Sequence, residues 1–509
     1  MKDFLIRTFN GQELQRLVVE LGETFNRFNH DTTGSFAEGL IDFCERRGLL
    51  NLLIEAILRR QYDKELARIQ LGYSNASDYS EERTNGLPEI LYIIPNESLL
   101  TRYHEEMTTL IRKDSLTLPA SKSSSQLRAY LATLYVLSLL DDKQRSEVIH
   151  FLYRKVLISF PEPILHFQNV DLSNIDLRGM DLRRLDLNRA NLNRAKLDGT
   201  VLNNANLDAT NLEDARLNGA TIEYVKLNWA NLSHAVVSNA TMNNASLGGA
   251  KLHFARFNDS HMRWAQLPRA QMYKTDFQKA QMNNIVMDRS SGEEANFERA
   301  SLVEASLIET HYRRSIFNEA KLTSAHLMQS RFESCKFEGT DLQAADFSEA
   351  KLSDSNFTKA KLYNAKFKKG DVASCAYNNA SLERVNFEEA KLSDSSYAKA
   401  KLNNANFSKG EIISCSFDNA DLEDANFNKA NVTGTTFKKA KLNNVNFSSS
   451  VATDCSFEGA DLRKANFENV DLTGSIFWNT KRRGAKFKGA TMPNGKKYAW
   501  WKIWQDPFQ

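Results

Sequence analysis

Ala190-Asn191-Leu192, Ala205-Asn206-Leu207, Ala420-Asp421-Leu422 and Ala465-Asn466-Phe467 are copies of one unit, A-(N/D)-(L/F)-x-x, and its phase decides the fold. From Leu172 to Phe477 an apolar residue recurs every fifth position for sixty-two steps, and only Gly292 and Ala452 break the series. A period of five is neither the 3.6 of a helix nor the 2 of a strand, so the segment is a repeat architecture. Two of every five residues are buried only if the chain coils about an axis, with the centre and the small residue before it facing inward. No coil has a core alone, so stability comes from stacking on neighbours.

A second period of twenty overlies the first. Phe347, Phe367, Phe387, Phe407, Phe427, Phe447 and Phe467 recur on one side of the coil, and Leu342, Leu362, Leu382, Leu402, Leu422, Leu442 and Leu462 on another. Each of these side chains is expected to stack on its copy one coil away, at about the 4.8 Å spacing of neighbouring strands. About fifteen coils then give a rod on the order of 75 Å long. The unit resembles the pentapeptide-repeat family, and the resemblance covers nearly two thirds of the chain. It implies a mainly β fold, a right-handed quadrilateral β-helix solenoid of about twenty residues per coil.

Across 509 residues, 66 Lys and Arg stand against 63 Asp and Glu, a net charge of +3 that argues against a nucleic-acid partner. No apolar run is long enough to span a membrane, and Met1-Lys2-Asp3-Phe4 begins no signal peptide, so the reading is cytoplasmic with no membrane partner. Cys335, Cys375, Cys415 and Cys455 form a ladder of forty-residue steps at the small inward position. Two coils separate neighbours by roughly 9.6 Å, too far for a disulfide or a shared zinc ion. The ladder reads as buried thiols in a duplicated two-coil unit. Nine histidines show no metal or triad spacing, and no phosphate loop, G-x-S-x-G or H-E-x-x-H occurs. Asn and Asp before each centre belong to the repeat's turns, so their carboxylates do not point to acid–base catalysis. Neither enzyme activity nor a cofactor is expected.

The chain divides into a helical bundle at 1–65, a linker at 66–95, a helical module and cap at 96–165, the solenoid at 166–492 and an aromatic tail at 493–509. Small all-α domains thus precede the solenoid. In the bundle, Phe9-Asn-Gly-Gln-Glu-Leu14 and Phe36-Ala-Glu-Gly-Leu40-Ile-Asp-Phe-Cys-Glu-Arg46-Arg47-Gly48 resemble the effector-associated, death-like adaptor domains of bacterial conflict systems. The resemblance implies like-with-like contacts between bundles, with Arg46 and Arg47 as candidate contact residues. Breaker-rich residues 72–86 form the centre of the linker. The patterns predict a helix within 88–112 capped by Asn96 or Ser98, and two more at 127–140 and 143–158 separated by Asp141-Asp142. Val170, Ile175, Met180 and Leu185 replace the usual alanine in the first coil, where an open end requires a cap. The break at Gly292 is either one distorted side or a protruding loop. In the tail, Trp500, Trp501 and Trp504 are candidates for a cap over the last coil or for a self-association surface.

These features predict a non-enzymatic protein–protein interaction scaffold, a homotypic adaptor on a rigid rod in bacterial conflict or defence signalling. Its partners would be other proteins, met through the bundle, or a second copy joined through bundle or tail. Two alternatives are a DNA-mimicking topoisomerase-binding protein and a secreted or membrane-associated bacterial effector anchored through its aromatic tail.

Overall fold

The computed structural model describes residues 96–113, 124–159 and 161–498. The amino-terminal bundle with Arg46 and Arg47, the 72–86 linker, and the tail with Trp500, Trp501 and Trp504 lie outside them. The chain forms two compact units, one holding the helices and the coils to Asn211, the other Leu197–Gly199 and everything from Leu212 onward.

In the first unit, helix α1 (Asn96–Lys113) buries Leu99, Tyr103, Met107 and Leu110, the stripe that helical spacing predicts. The Tyr103 hydroxyl meets Thr133 Oγ1 of helix α2 (Ser124–Leu139) at 2.8 Å. Helix α3 (Asp142–Arg154) starts at Asp141, whose side chain accepts from Gln144 N at 2.8 Å. It stops four residues short of the expected Ile158, because Val156 turns left-handed with φ 60°. Val156 N then donates to Tyr153 O and Leu157 N to Leu152 O, the paired bonds of a Schellman ending.

Helix α3 and the segment after it close the first coil. Within the repeat, an amide such as Asn191 N donates to Val170 O of the coil before it. The first coil has no predecessor, and side chains take that role. Asp176 N donates to Ser146 Oγ at 3.3 Å, Asp181 N to the Tyr153 hydroxyl at 3.1 Å, and Asp186 N to His166 Nδ1 at 3.0 Å. Burial lowers the pKa of His166, which keeps that nitrogen free to accept. The large residues at Val170, Ile175, Met180 and Leu185 are buried beneath this cover, and Leu185 borders a small space with Ile149 and Ile158.

The second unit is a parallel β-solenoid. Strands β1 (Ser291–Glu293), β2 (His311–Arg313), β3 (Arg331–Glu333), β4 (Lys351–Ser353), β5 (Asp371–Ala373), β6 (Lys391–Ser393) and β7 (Glu411–Ile413) pair consecutively in register, each twenty residues after the last. On the other sides single-residue bridges keep the same step, as in Lys361 to Ser381 to Lys401 to Asp421. Four bridged positions per twenty residues make the coil four-sided. Two residues past each centre the backbone enters the left-handed region, with φ near 60° even at Arg, Lys and Glu. The Asn or Asp before the centre tightens many of these corners, as Asn386 Oδ1 does by accepting from Glu388 N at 3.0 Å.

Phe347, Phe367, Phe387, Phe407, Phe427 and Phe447 are fully buried, as are Leu362, Leu402 and Leu442. Phe347 and Phe367 stack at 4.8 Å and 3°. A second ladder, from Phe257 to Phe477, carries Tyr377 and Tyr397 among its phenylalanines and meets the first edge-on, as in Phe347 against Phe357 at 85°. Gly292 lies in β1 within the bridged register, so no loop protrudes there. A Cβ at Gly292 would come within 2.3 Å of the Tyr312 ring. The missing side chain admits that ring, whose hydroxyl meets Ser290 Oγ at 3.0 Å.

Candidate functional site

Most polar side chains on the solenoid are occupied by its own construction. Asn406, Asn426, Asn446 and Asn466 each donate to the asparagine one coil earlier, at 3.1 to 3.4 Å. Lys441 pairs with Asp421 at 3.0 Å, Arg299 with Glu319 at 2.8 Å and Arg289 with Glu309 at 2.8 Å. Among the described residues no group of three or more His, Cys, Asp or Glu converges as a metal site. Burial pushes the thiols of Cys335, Cys375, Cys415 and Cys455 up to about 12, which leaves them protonated and unreactive at neutral pH.

One surface departs from this pattern. Tyr224, Trp229, Phe254 and Trp264 are exposed within three successive coils, where corner residues elsewhere are mostly polar. In register, Tyr224, Asn244 and Trp264 occupy one corner, and Trp229, Gly249 and Arg269 the next. The side between them carries Lys226 and Asn228, then Ser246 and Gly248, then Gln266 and Pro268, so its smallest residues lie on the middle coil. The Trp229 indole lies over Gly249, so close that a Cβ there would meet its ring at 2.3 Å. One indole face is thereby held against backbone and the residue remains 66% exposed. Exposed apolar area of this kind marks contact sites.

The third corner is different. There His234 stacks on Phe254 at 4.7 Å, Tyr273 meets Phe254 edge-on at 5.1 Å, and Lys274 Nζ stands 5.2 Å from the Tyr273 ring centre. Those aromatics satisfy one another. Tyr224, Trp229 and Trp264 have no ring partner among the described residues.

Charge is concentrated here too. Residues 221–280 carry seven Lys or Arg against three Asp or Glu, so this stretch has a charge of +4 and the remainder of the chain has −1. The overall figure of +3 conceals the segregation. Sequence reading passed over these aromatics because they contribute nothing to the repeat. Their phase was the available signal: each stands two residues past a centre, an outward position.

The sequence-predicted contact residues Arg46, Arg47, Trp500, Trp501 and Trp504 are not among the described residues, so the structure brings none of them to this surface. The tail is approached by a run of seven Lys and Arg with no acid, from Lys481 to Lys497, beside an exposed Trp478.

The fold and its surface define a parallel β-solenoid whose exterior carries a band of exposed aromatic residues. Its sequence matches pentapeptide repeats at residues 166–204, 186–223, 226–263 and 440–479, and a pentapeptide repeat region at 310–387 and 371–447. The chain belongs to the pentapeptide-repeat family. Residues 1–61 match effector-associated domain 7. None of the curated proteins is a significant match to the chain. Among solved structures it is similar to HetL of the cyanobacterium Nostoc sp. strain PCC 7120, a pentapeptide repeat protein involved in heterocyst differentiation regulation. That likeness is 24% identity over 42% of this chain and 92% of HetL, with a TM-score of 0.31. QnrB1, a plasmid-mediated fluoroquinolone resistance protein, is 15% identical over 44% of this chain and 90% of its own, with a TM-score of 0.24. Rfr23 of the cyanobacterium Cyanothece 51142 is 25% identical over 18% and 62%, with a TM-score of 0.17.

Proposed function

We propose that the chain is a non-enzymatic, cytoplasmic scaffold for protein–protein contact in bacterial conflict or defence signalling. The observation that carries this reading is the match of residues 1–61 to an effector-associated domain, joined in one chain to a β-solenoid. The bundle recruits a partner carrying a like bundle, with Arg46 and Arg47 in the contact. The solenoid contributes a stiff surface: its polar groups are largely spent on turns and axial ladders, and its aromatic band is open. A DNA mimic needs an acidic exterior, and the band has the opposite sign.

The test is sedimentation of the full chain over a wide concentration range, alone and mixed with other chains of the same host that carry effector-associated domains. Association with itself or with one of them, lost in Arg46→Glu/Arg47→Glu, is the expected result. A chain that stays monomeric and binds none of them overturns the reading.

A further inference from the structure

We infer that the side of the solenoid between the Tyr224/Trp264 corner and the Trp229 corner docks an extended, acidic peptide segment bearing an aromatic or large aliphatic anchor. This rests on the scaffold reading and adds the chemistry of the partner.

Three observations carry it. The first is composition: Trp, Tyr and Arg together are the residues that dominate binding energy at protein interfaces. Here they surround Ser246 and Gly248, the smallest outward residues of the side, whose other two coils carry Lys226, Asn228, Gln266 and Pro268. Tyr224 and Trp264 stand two coils apart at one corner, on the order of 9.6 Å by strand spacing, with the half-buried Asn244 between them, so each ring offers its own exposed face to a planar or branched side chain.

The second is charge. Lys226, Arg263 and Arg269 are exposed on or beside this side, and no carboxylate lies within ion-pair distance of them among the described residues. In later coils Arg289, Arg299 and Arg314 all have glutamate partners. Free cations beside exposed aromatic rings fit a partner that brings its own carboxylates, and such complementarity sets specificity and association rate.

The third is size. One solenoid side across three coils is about 10 Å along the axis and roughly 13 Å across, a patch on the order of 130 Å² and far below the about 800 Å² per partner of a standard domain–domain interface. A short extended segment matches it. The solenoid's strand edges are already paired along the axis, so the segment binds through side chains and does not add as a strand. A single-stranded nucleic acid would also stack on aromatics, but it needs a continuous cationic track for its backbone. Here Lys226 is the one cation on the side and Arg263 and Arg269 border it, so no track of cations runs along it.

The experiment is selection of short random peptides displayed on phage against the immobilised full chain, followed by fluorescence anisotropy with the enriched peptide. Enrichment of acidic sequences with an aromatic or leucine is expected. Binding should weaken by roughly ten-fold or more in Trp229→Ala/Trp264→Ala, as hot-spot truncation does. Arg263→Glu/Arg269→Glu, which leaves the rings in place, should lose the acidic preference. Unchanged melting of both variants excludes misfolding as the cause. The inference is overturned if the selected peptides show no acidic bias, if both variants bind like the parent, or if a fluorescent oligothymidylate outcompetes every peptide at the band. Arg46→Glu/Arg47→Glu should leave peptide binding intact, and a parent chain that binds the peptide yet stays monomeric and binds no other effector-associated chain identifies failure of the scaffold reading alone.

Discussion

Tyr377 and Tyr397 occupy rungs that phenylalanine fills elsewhere, stacked at 4.9 Å and 2°, and both hydroxyls are buried without a hydrogen-bond partner. Tyr312 shows the contrast, since its hydroxyl has Ser290. A buried hydroxyl without a partner costs about 1 to 3 kcal/mol, whereas the ring itself contributes packing on either choice. Tyr377→Phe and Tyr397→Phe are therefore expected each to raise stability by roughly 1 kcal/mol or more. Chemical denaturation of the single variants measures this, and a lower midpoint in both would show that the hydroxyls are stabilised by something else. The inward assignment of these residues was legible in the sequence, because a period of twenty in bulky residues has no other geometric meaning. Which of them carried an idle polar atom was not, since that depends on the neighbours brought alongside from other coils.

At the scale of elements, the end of α3 places a β-branched residue where glycine is usual. Val156 sits at the left-handed position of the Schellman ending, with φ 60°, and is exposed by half, so its side chain returns little packing for the strain. Replacement by glycine relieves a steric cost of about 1 to 2 kcal/mol, partly offset by about 0.5 to 1 kcal/mol of unfolded-chain entropy. Val156→Gly should raise the midpoint of unfolding of the helical unit slightly, and Val156→Ala, which keeps a Cβ, should not. Equal behaviour of the two variants in calorimetry would sink this account. The apolar pattern located α3, yet it ran four residues too far, because Leu157 and Ile158 are buried without being helical. Their burial comes from the turn back toward the coil. The capping of strand edges by Ser146, Tyr153 and His166 was hidden for a related reason: a cap was predictable from the open end, but the side chains that reach three amides depend on the helix's placement.

At the scale of the whole molecule, the repeat imposes one interior on many coils, and polar groups stored there respond together. Cys335, Cys375, Cys415 and Cys455 alternate with Ser355, Ser395, Thr435 and Ser475, and the hydroxyl oxygens accept from the cysteine amides, as Ser355 does from Cys335 N at 3.1 Å. Burial raises each thiol from an ordinary value of 9.0 to about 12. Above pH 9 the unfolded chain therefore releases these protons while the folded chain keeps them. Stability is complete below that value and falls by about 1.4 kcal/mol per pH unit for each thiol until the folded value is reached. Because repeat proteins couple mainly to neighbouring units, the loss should open the coils around Cys335 to Cys455 before the first unit yields. The serines in alternate coils show that a hydroxyl fits the same position. Replacing the four ladder cysteines by serine should accordingly flatten the decline in melting temperature between pH 9 and pH 11, values chosen to bracket the ordinary and folded thiol ranges. A decline as steep as the parent's would mean that other groups set the alkaline limit, and early alkylation of Cys335, Cys375, Cys415 or Cys455 at pH 8, mapped apart from Cys44 and below their ordinary range, would show that the interior is not closed around them.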